Sequence, residues 1–378
     1  MADLGLPGMA VITPPKGRWF HRLMASRPFQ TWAARFPLTR GIVRREGEAM
    51  FDLIAGFCHS QVLLALVELR IPEQVMDRNG TVEALALRAQ MPPDRMRILL
   101  NAGVAIGILR RHRDTTYGVT RRGAALTGVP GLAGMILHHR TLYRDLENPV
   151  AFFRGETETE LAGFWPYVFG AGAAADPTVA ATYSQLMADS QVLVAADTLA
   201  AVSFADTKTL LDVGGGTGAF LAAVGRAWPG PKLALFDLPA VAPGALARFE
   251  TAGMADRLTI HPGSFRDQPL PLGADTISLI RVLYDHSDDT VRSLLTAIYT
   301  ALPPRGRLII SEPMTGGDRP ERAGDAYFAL YCLAMRTGQA RSAGQISDLL
   351  RTAGFTTINA PHAGRPFVTS VITAVRPD

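Results

Sequence analysis

The chain has 378 residues, 48% of them hydrophobic, with 38 Lys and Arg against 34 Asp and Glu. That length suits two or three domains with sizeable cores, and two cysteines, Cys58 and Cys332, leave no disulfide framework and fit a reducing cytoplasm. Every apolar run is interrupted, residues 51–69 by Asp52, His59, Gln61 and Glu68, so a soluble protein without a membrane span is expected.

The basic charge is concentrated at one end. Residues 1–50 carry Lys16, Arg18, Arg22, Arg27, Arg35, Arg40, Arg44 and Arg45 against Asp3, Glu46 and Glu48, a net +5, while the rest is close to neutral. Within residues 18–36 the arginines alternate with Trp19, Phe20, Leu23, Met24, Phe29, Trp32 and Phe36, which predicts two short helices divided at Pro28. Aromatic side chains on one face and arginines on the other suit a membrane surface or an arm laid across a partner subunit. Residues 1–48 are read as that basic aromatic arm.

Residues 50–70 repeat apolar side chains at helical spacing and predict a mostly buried helix. Residues 82–89 and 92–109 follow as a helix-turn-helix, residues 110–120 as a hairpin turning near Asp114, and residues 123–126 close a winged-helix pattern. Arg110, Arg111, Arg113, Arg121 and Arg122 raise the alternative of a DNA-binding regulator with a ligand-sensing domain. The second helix argues against it. Met96, Ile98, Leu99, Leu100, Val104, Ile106 and Leu109 dominate that helix and only Arg95 and Arg97 are left to read bases, so a subunit interface and no nucleic acid are expected.

Residues 132–155 and 158–204 predict further helices and complete a helical domain over 49–204. Adjacent His138 and His139 point to different helix faces, are not spaced as a metal pair, and are read as structural. Tyr183, Met187 and Ser190 share one face, a stripe that suits the core or, by its position just before the nucleotide domain, the roof of a substrate pocket.

From residue 205 onward, strands and helices alternate regularly. Leu210, Leu211 and Val213 form a short strand, Gly214–Gly218 a glycine turn, and residues 219–228 an apolar helix. Glycines suit a turn where a ligand lies against the backbone, and the helix N-terminus offers free N–H groups. The next strand, 232–236, ends at Asp237, where a carboxylate can hold a ribose diol. Gly214, Gly216 and Ala219 satisfy a dinucleotide fingerprint, but two features favour S-adenosylmethionine. Gly218 gives a Gly-x-Gly-x-Gly spacing, and Asp212 would repel a pyrophosphate but attract an ammonium group.

A helix over 238–253, strands over 257–261, 276–283 and 307–311, and helices over 290–302, 327–336 and 342–353 follow. An antiparallel pair, 355–360 with 367–375, closes the sheet. Asp288 and Asp289 read as caps of their helix rather than as a metal pair, and no metal is expected. Loops after parallel strands meet at one edge, which gathers Gly214–Gly218, Asp237, Ser264, Phe265, the 284–286 loop and Glu312.

Taken together, Leu211–Gly218, Asp237-Leu238-Pro239, the Arg281–Asp289 loop and Ala353-Gly354-Phe355 resemble the O-methyltransferases related to the plant caffeate enzymes. The resemblance implies a dimerising winged-helix domain, then an α/β Rossmann-like class I methyltransferase domain over 205–378, in a homodimer. It implies that Asp212, Gly214, Gly216, Gly218, Asp237, Leu238 and Arg281 serve S-adenosylmethionine and that Ser264 and Phe265 flank its adenine. The family's general base is a histidine followed by Asp-Trp; this chain has Tyr284 there and His286 in place of the tryptophan. Of the family's two glutamates, Glu312 matches one and Ala340 replaces the other. In an extended loop Tyr284 and His286 would point the same way, so His286, oriented by Glu312, is the candidate base, with Tyr284 beside it.

Within the family the arm and first helices look most like the branch that methylates hydroxylated carotenoids of purple bacteria. A tertiary aliphatic hydroxyl is then the expected acceptor, with a small phenol or a bacteriochlorophyll precursor as the alternative. The expected location is the cytoplasm, with peripheral contact of the arm at the inner membrane.

Overall fold

A computed structural model of the chain describes residues 18–113, 115–164 and 177–378, without the side chains of 18, 164 and 177–187. The arm forms helices Arg18–Met24 and Arg27–Arg35. Pro28 does not divide them: it sits in the first turn of the second helix, where its missing N–H leaves no bond unmade. Trp32 stacks on Phe36 at 4.8 Å and leans on Phe29 at 5.7 Å. Trp19, Trp32 and Leu38 stand in solvent.

The helix expected over 50–70 is longer and far less buried. It runs unbroken over Arg40–Glu68, through the expected end of the arm at 48, and buries only Leu64, Leu66 and Val67. Met50, Phe51, Leu53, Ile54 and Phe57 are 58% to 72% exposed. Periodicity shows which face is apolar, not whether anything covers it. By length and composition alone this helix is long and apolar enough to cross a membrane, a test that core helices of soluble proteins also pass.

Helices Val82–Arg88 and Pro93–Ala105 and the strands β1 (Leu109–Arg111) and β2 (Tyr117–Val119) build the winged-helix unit. The second helix ends at Ala105, short of Leu109, because Gly107 takes the left-handed conformation (φ +77°). The turn near Asp114 lies outside the described residues. Leu66, Met96, Leu100, Leu109 and Tyr117 pack together, and the lack of a side chain at Gly103 lets Leu66 and Leu109 approach. Helix Arg121–Gly128 closes the unit. In the next stretch, read as two long helices, the described residues form Leu132–Asp145, Pro149–Phe153, Glu160–Phe164 and Pro177–Ala201.

Seven strands make the main sheet: β3 (Thr209–Val213), β4 (Lys232–Asp237), β5 (Leu258–Pro262), β6 (Thr276–Ile280), β7 (Arg307–Glu312), β8 (Thr356–Asn359) and β9 (Ser370–Val375). Their order is β5-β4-β3-β6-β7-β9-β8, parallel through β7, with β9 antiparallel to both neighbours. The order reverses at β3, between β4 and β6, which opens a crevice at the carboxyl ends of the strands. Register places Asp212 opposite Leu235 on one side and Ser278 on the other.

The two expected domains interlock. Val194, Ala195, Val202 and Phe204 join Leu210, Phe220 and Val224 in one core, so the helix before residue 205 packs with the sheet after it. In return Tyr331, Ala334 and Met335 pack among Leu142, Phe152 and Leu161.

Candidate active site

The crevice starts at the glycine turn after β3. Gly214, Gly216 and Gly218 all have left-handed φ (+69°, +58° and +70°), which suits only glycine without strain. Nothing lies within 4 Å of where a Cβ on Gly216 would sit, so that face of the turn is open to a ligand. Asp212 lies beneath the turn, fully buried, rather than facing the crevice. Its Oδ1 accepts the Ser278 hydroxyl at 2.6 Å, and its Oδ2 has no partner. Burial pushes its carboxyl up to about 7. Asp237 reaches over from β4: its Oδ2 accepts the Gly216 N–H at 2.6 Å and its Oδ1 the Leu238 N–H at 2.7 Å. An open glycine cradle over an unpartnered buried carboxylate oxygen fits a ligand carrying positive charge, as S-adenosylmethionine does.

The far wall differs from the extended loop expected after β6. The strand stops at Ile280, and Leu283–Asp285 form one 3₁₀ turn. Such a turn rotates successive side chains by about 120°, so Tyr284 and His286 diverge. His286 turns toward the β5 loop, where its ring meets Phe265 edge-on at 5.3 Å and its Nδ1 accepts from Arg266 at 3.1 Å. Burial first, then the Arg266 and Arg341 charges, pull its imidazole down to about 4. Ser264 accepts the Arg266 N–H. Glu312 does not contact the imidazole in the way expected; its Oε2 accepts the Tyr284 N–H at 3.2 Å and braces the loop. Arg281, itself left-handed at φ +60°, donates to Ser190 at 2.7 Å and to the Tyr284 hydroxyl at 3.0 Å. Tyr183 and Met187 fall on helix Pro177–Ala201, but their side chains lie outside the described residues.

Three sets of contacts, two at this wall and one between the domains, had no signal in spacing or composition. Arg341 is 1% exposed, and its guanidinium holds Asp288 Oδ1 and the carbonyls of Leu283, His286 and Gln339. At Gly338 an added Cβ would overlap the Tyr284 carbonyl. His138 and His139 bond the hydroxyls of Tyr331 and Tyr327 at 2.8 and 2.6 Å. Ser287, not either aspartate, occupies the cap position of helix Asp288–Ala301, whose first turn holds Asp288 and Asp289. No group of three or more metal-ligating side chains occurs among the described residues.

Buried carboxyls give the site a pH signature. Burial raises Asp212 and Asp285 to about 7 and Glu312 to about 8. A carboxyl whose folded value is raised stabilises the fold at low pH and loses that contribution as pH climbs from its unfolded value of about 4 through the folded one. A bound cation favours the ionised forms and so releases protons. The ligand-free protein is therefore expected to melt lower at about pH 8.5 than at about pH 5.5, while affinity for S-adenosylmethionine rises over that range. Melting curves and calorimetry check both, and a melting point that climbs with pH contradicts the assignment.

Residues 51–128 match an O-methyltransferase dimerisation domain and residues 143–356 an O-methyltransferase domain. The demethylspheroidene O-methyltransferase of Cereibacter sphaeroides is 57% identical over 94% of each chain. That of Rhodobacter capsulatus is 49% identical over 98% of this chain and 93% of its own. Human N-acetylserotonin methyltransferase in complex with S-adenosylmethionine superposes with TM-score 0.76 at 25% identity, covering 88% of this chain and 98% of its own. Mitomycin 7-O-methyltransferase does so with TM-score 0.74 at 25% identity, covering 89% and 99%.

Proposed function

Since the chain belongs to the S-adenosylmethionine-dependent O-methyltransferases, we propose that its acceptor is the tertiary hydroxyl of a demethylspheroidene-type hydroxylated carotenoid. The observation that carries this reading is 57% identity, over nearly the full length of both chains, to an enzyme named for that acceptor. The cofactor, when bound, supplies a methyl group activated by a sulfonium.

The chain's residues bind and orient. Asp237 is placed to accept from a ribose, with Leu238 beside it; Gly214, Gly216 and Gly218 line the cradle above Asp212; Ser264 and Phe265 close the adenine side. His286, pinned by Arg266 against Phe265, shapes that same side. Tyr284, held by Arg281 and with its own ionisation pushed upward by burial, stays neutral and can orient an acceptor hydroxyl. An aliphatic alcohol is less acidic than a phenol of pKa about 10. Its proton therefore leaves as the new bond forms, and alignment of the reacting atoms supplies much of the acceleration.

Incubation with labelled S-adenosylmethionine and a panel of hydroxycarotenoids, phenols and bacteriochlorophyll precursors tests the reading. Label is expected in the hydroxycarotenoid; label in a phenol or tetrapyrrole alone overturns it.

The dimerisation domain supports a homodimer. The arm, in this reading, rests on the cytoplasmic face of a membrane where a polyene dissolves. The solved relatives cover nearly all of their own chains but 88% to 89% of this one, whereas the Rhodobacter capsulatus carotenoid enzyme matches 98% of it. The dimerisation match begins only at residue 51, after the exposed Trp19, Phe20, Trp32 and Leu38 and their arginines. Deleting residues 1–36 is expected to weaken binding to anionic vesicles about tenfold while sparing turnover of detergent-dispersed acceptor. Unchanged vesicle binding excludes the membrane role.

A further inference from the structure

The two histidine–tyrosine pairs take no part in the site as built so far, yet both cross between the domains. Helix Leu132–Asp145 supplies His138 and His139, and the segment after β7 supplies Tyr331 and Tyr327, 193 and 188 residues away. We propose that Tyr327 and His139 form the proton path for the acceptor: Tyr327 Oη receives the hydroxyl proton and passes its own to His139 Nε2. The proposal rests on O-methyl transfer as the reaction and not on which acceptor is used.

Placement supports it first. Tyr327 lies within electrostatic reach of Arg281, and its ring is 6.3 Å from that of Tyr331. Arg281 holds Tyr284, and its neighbour Val282 packs against Gly214 of the cofactor turn. The pair is therefore linked, through Arg281, to the same wall that holds Tyr284 and meets the glycine turn.

The two pairs are not equivalent. His138 and Tyr331 are buried, whereas His139 and Tyr327 are only partly so. Tyr327 is delivered by a π-helical segment, Arg322–Phe328, which runs into the start of the ordinary helix expected over 327–336. Wide turns of this kind are uncommon and occur preferentially at functional sites.

The chemistry matches. His139 meets Tyr143 from its own helix and Tyr327 from the opposite segment; its chain neighbour His138 is coupled to it electrostatically, and Arg281 lies within electrostatic reach of Tyr327. Burial holds the imidazole below its ordinary value, so it is neutral near pH 7, and its bonded Nε2 carries a lone pair when the proton sits on Nδ1. Burial lifts the Tyr327 phenol to about 12, so it relays a proton instead of ionising alone. As the acceptor oxygen bonds to the methyl carbon, the carbon–sulfur bond breaks and its electron pair stays on sulfur. The hydroxyl proton moves to Tyr327 Oη, the Tyr327 proton moves to His139 Nε2, and the imidazolium gives it up to water.

Tyr327→Phe keeps the ring and removes the relay oxygen; His139→Gln keeps a hydrogen-bonding side chain that cannot take a proton. Each is expected to lower kcat about 100-fold, with donor affinity and acceptor KM within about threefold, and the double variant to lose no more than either single one. The acidic limb of the kcat–pH profile should disappear in His139→Gln. The variants are assayed on whichever hydroxyl the unaltered protein methylates, so a wrong acceptor assignment shows in the unaltered protein and leaves this test intact. Near-normal kcat in both variants, a loss confined to KM, multiplying losses in the double variant, or an acidic limb that survives in His139→Gln overturns the proposal and leaves the pair as a latch between domains.

Discussion

Arg341→Met is expected to cost at least about 2 kcal/mol of folding stability, two buried carbonyls each costing about 1–3 kcal/mol when left unpaired, and to lower methyl transfer at least about 100-fold in the molecules that still fold. Arg341 is nearly sealed from solvent, and its five N–H groups reach one carboxylate and three backbone carbonyls. Methionine fills similar volume but donates nothing, so the carbonyls of Leu283 and His286 lose their bonds while remaining buried, and that of Gln339 loses its bond nearer the surface. Two of those carbonyls flank Tyr284 in the turn that forms the far wall of the site. Denaturant unfolding gives the stability change, and turnover per folded molecule gives the second effect. Arg341→Lys, able to reach one or two of the same partners, should fall between. A loss under about 1 kcal/mol for Arg341→Met would mean that the turn supports itself.

Gly215→Ala should reduce affinity for S-adenosylmethionine about 100-fold or more, equivalent to at least about 2.7 kcal/mol. The added methyl would overlap Asp212 Oδ2 and come within 2.7 Å of Leu235 Cδ1, both fully buried, so neither can yield without moving β3 or β4. The turn must shift, and the cradle shifts with it. Gly216→Ala separates strain from overlap: its Cβ meets nothing, but φ of +58° costs about 1–2 kcal/mol in any residue with a Cβ. Gly230→Ala, without neighbours or unusual φ, is the control and should bind normally. Calorimetric titration of the three decides; normal binding by Gly215→Ala would show that the turn is not the cradle.

Local chemistry was legible in the sequence wherever it depended on neighbours in the chain. The β3 run, its glycines and Asp237 at the end of β4 lie within about thirty residues of one another, and their register follows from parallel pairing. Contacts between distant segments were not legible. Arg341 is fixed by carbonyls more than fifty residues earlier, and His139 by a tyrosine 188 residues later, distances that no periodicity encodes. The extended reading of residues 284–286 failed for a related reason: Glu312 and Arg341 together grip backbone groups there and wind the loop into a turn. The Arg40–Glu68 helix failed differently, because its apolar face was read correctly but assigned to the chain's own core.

That face has a consequence for how much protein a cell must keep. A single chain leaves Met50, Phe51, Leu53, Ile54 and Phe57 in water. Where a second copy covers them, folding and pairing become one equilibrium governed by mass action. Each tenfold dilution then removes about 1.4 kcal/mol from the assembled state. Scarcity alone thus shifts the population toward lone chains with sticky surfaces, which proteases and chaperones meet first. Abundance, and not only sequence, would then set how long the enzyme survives.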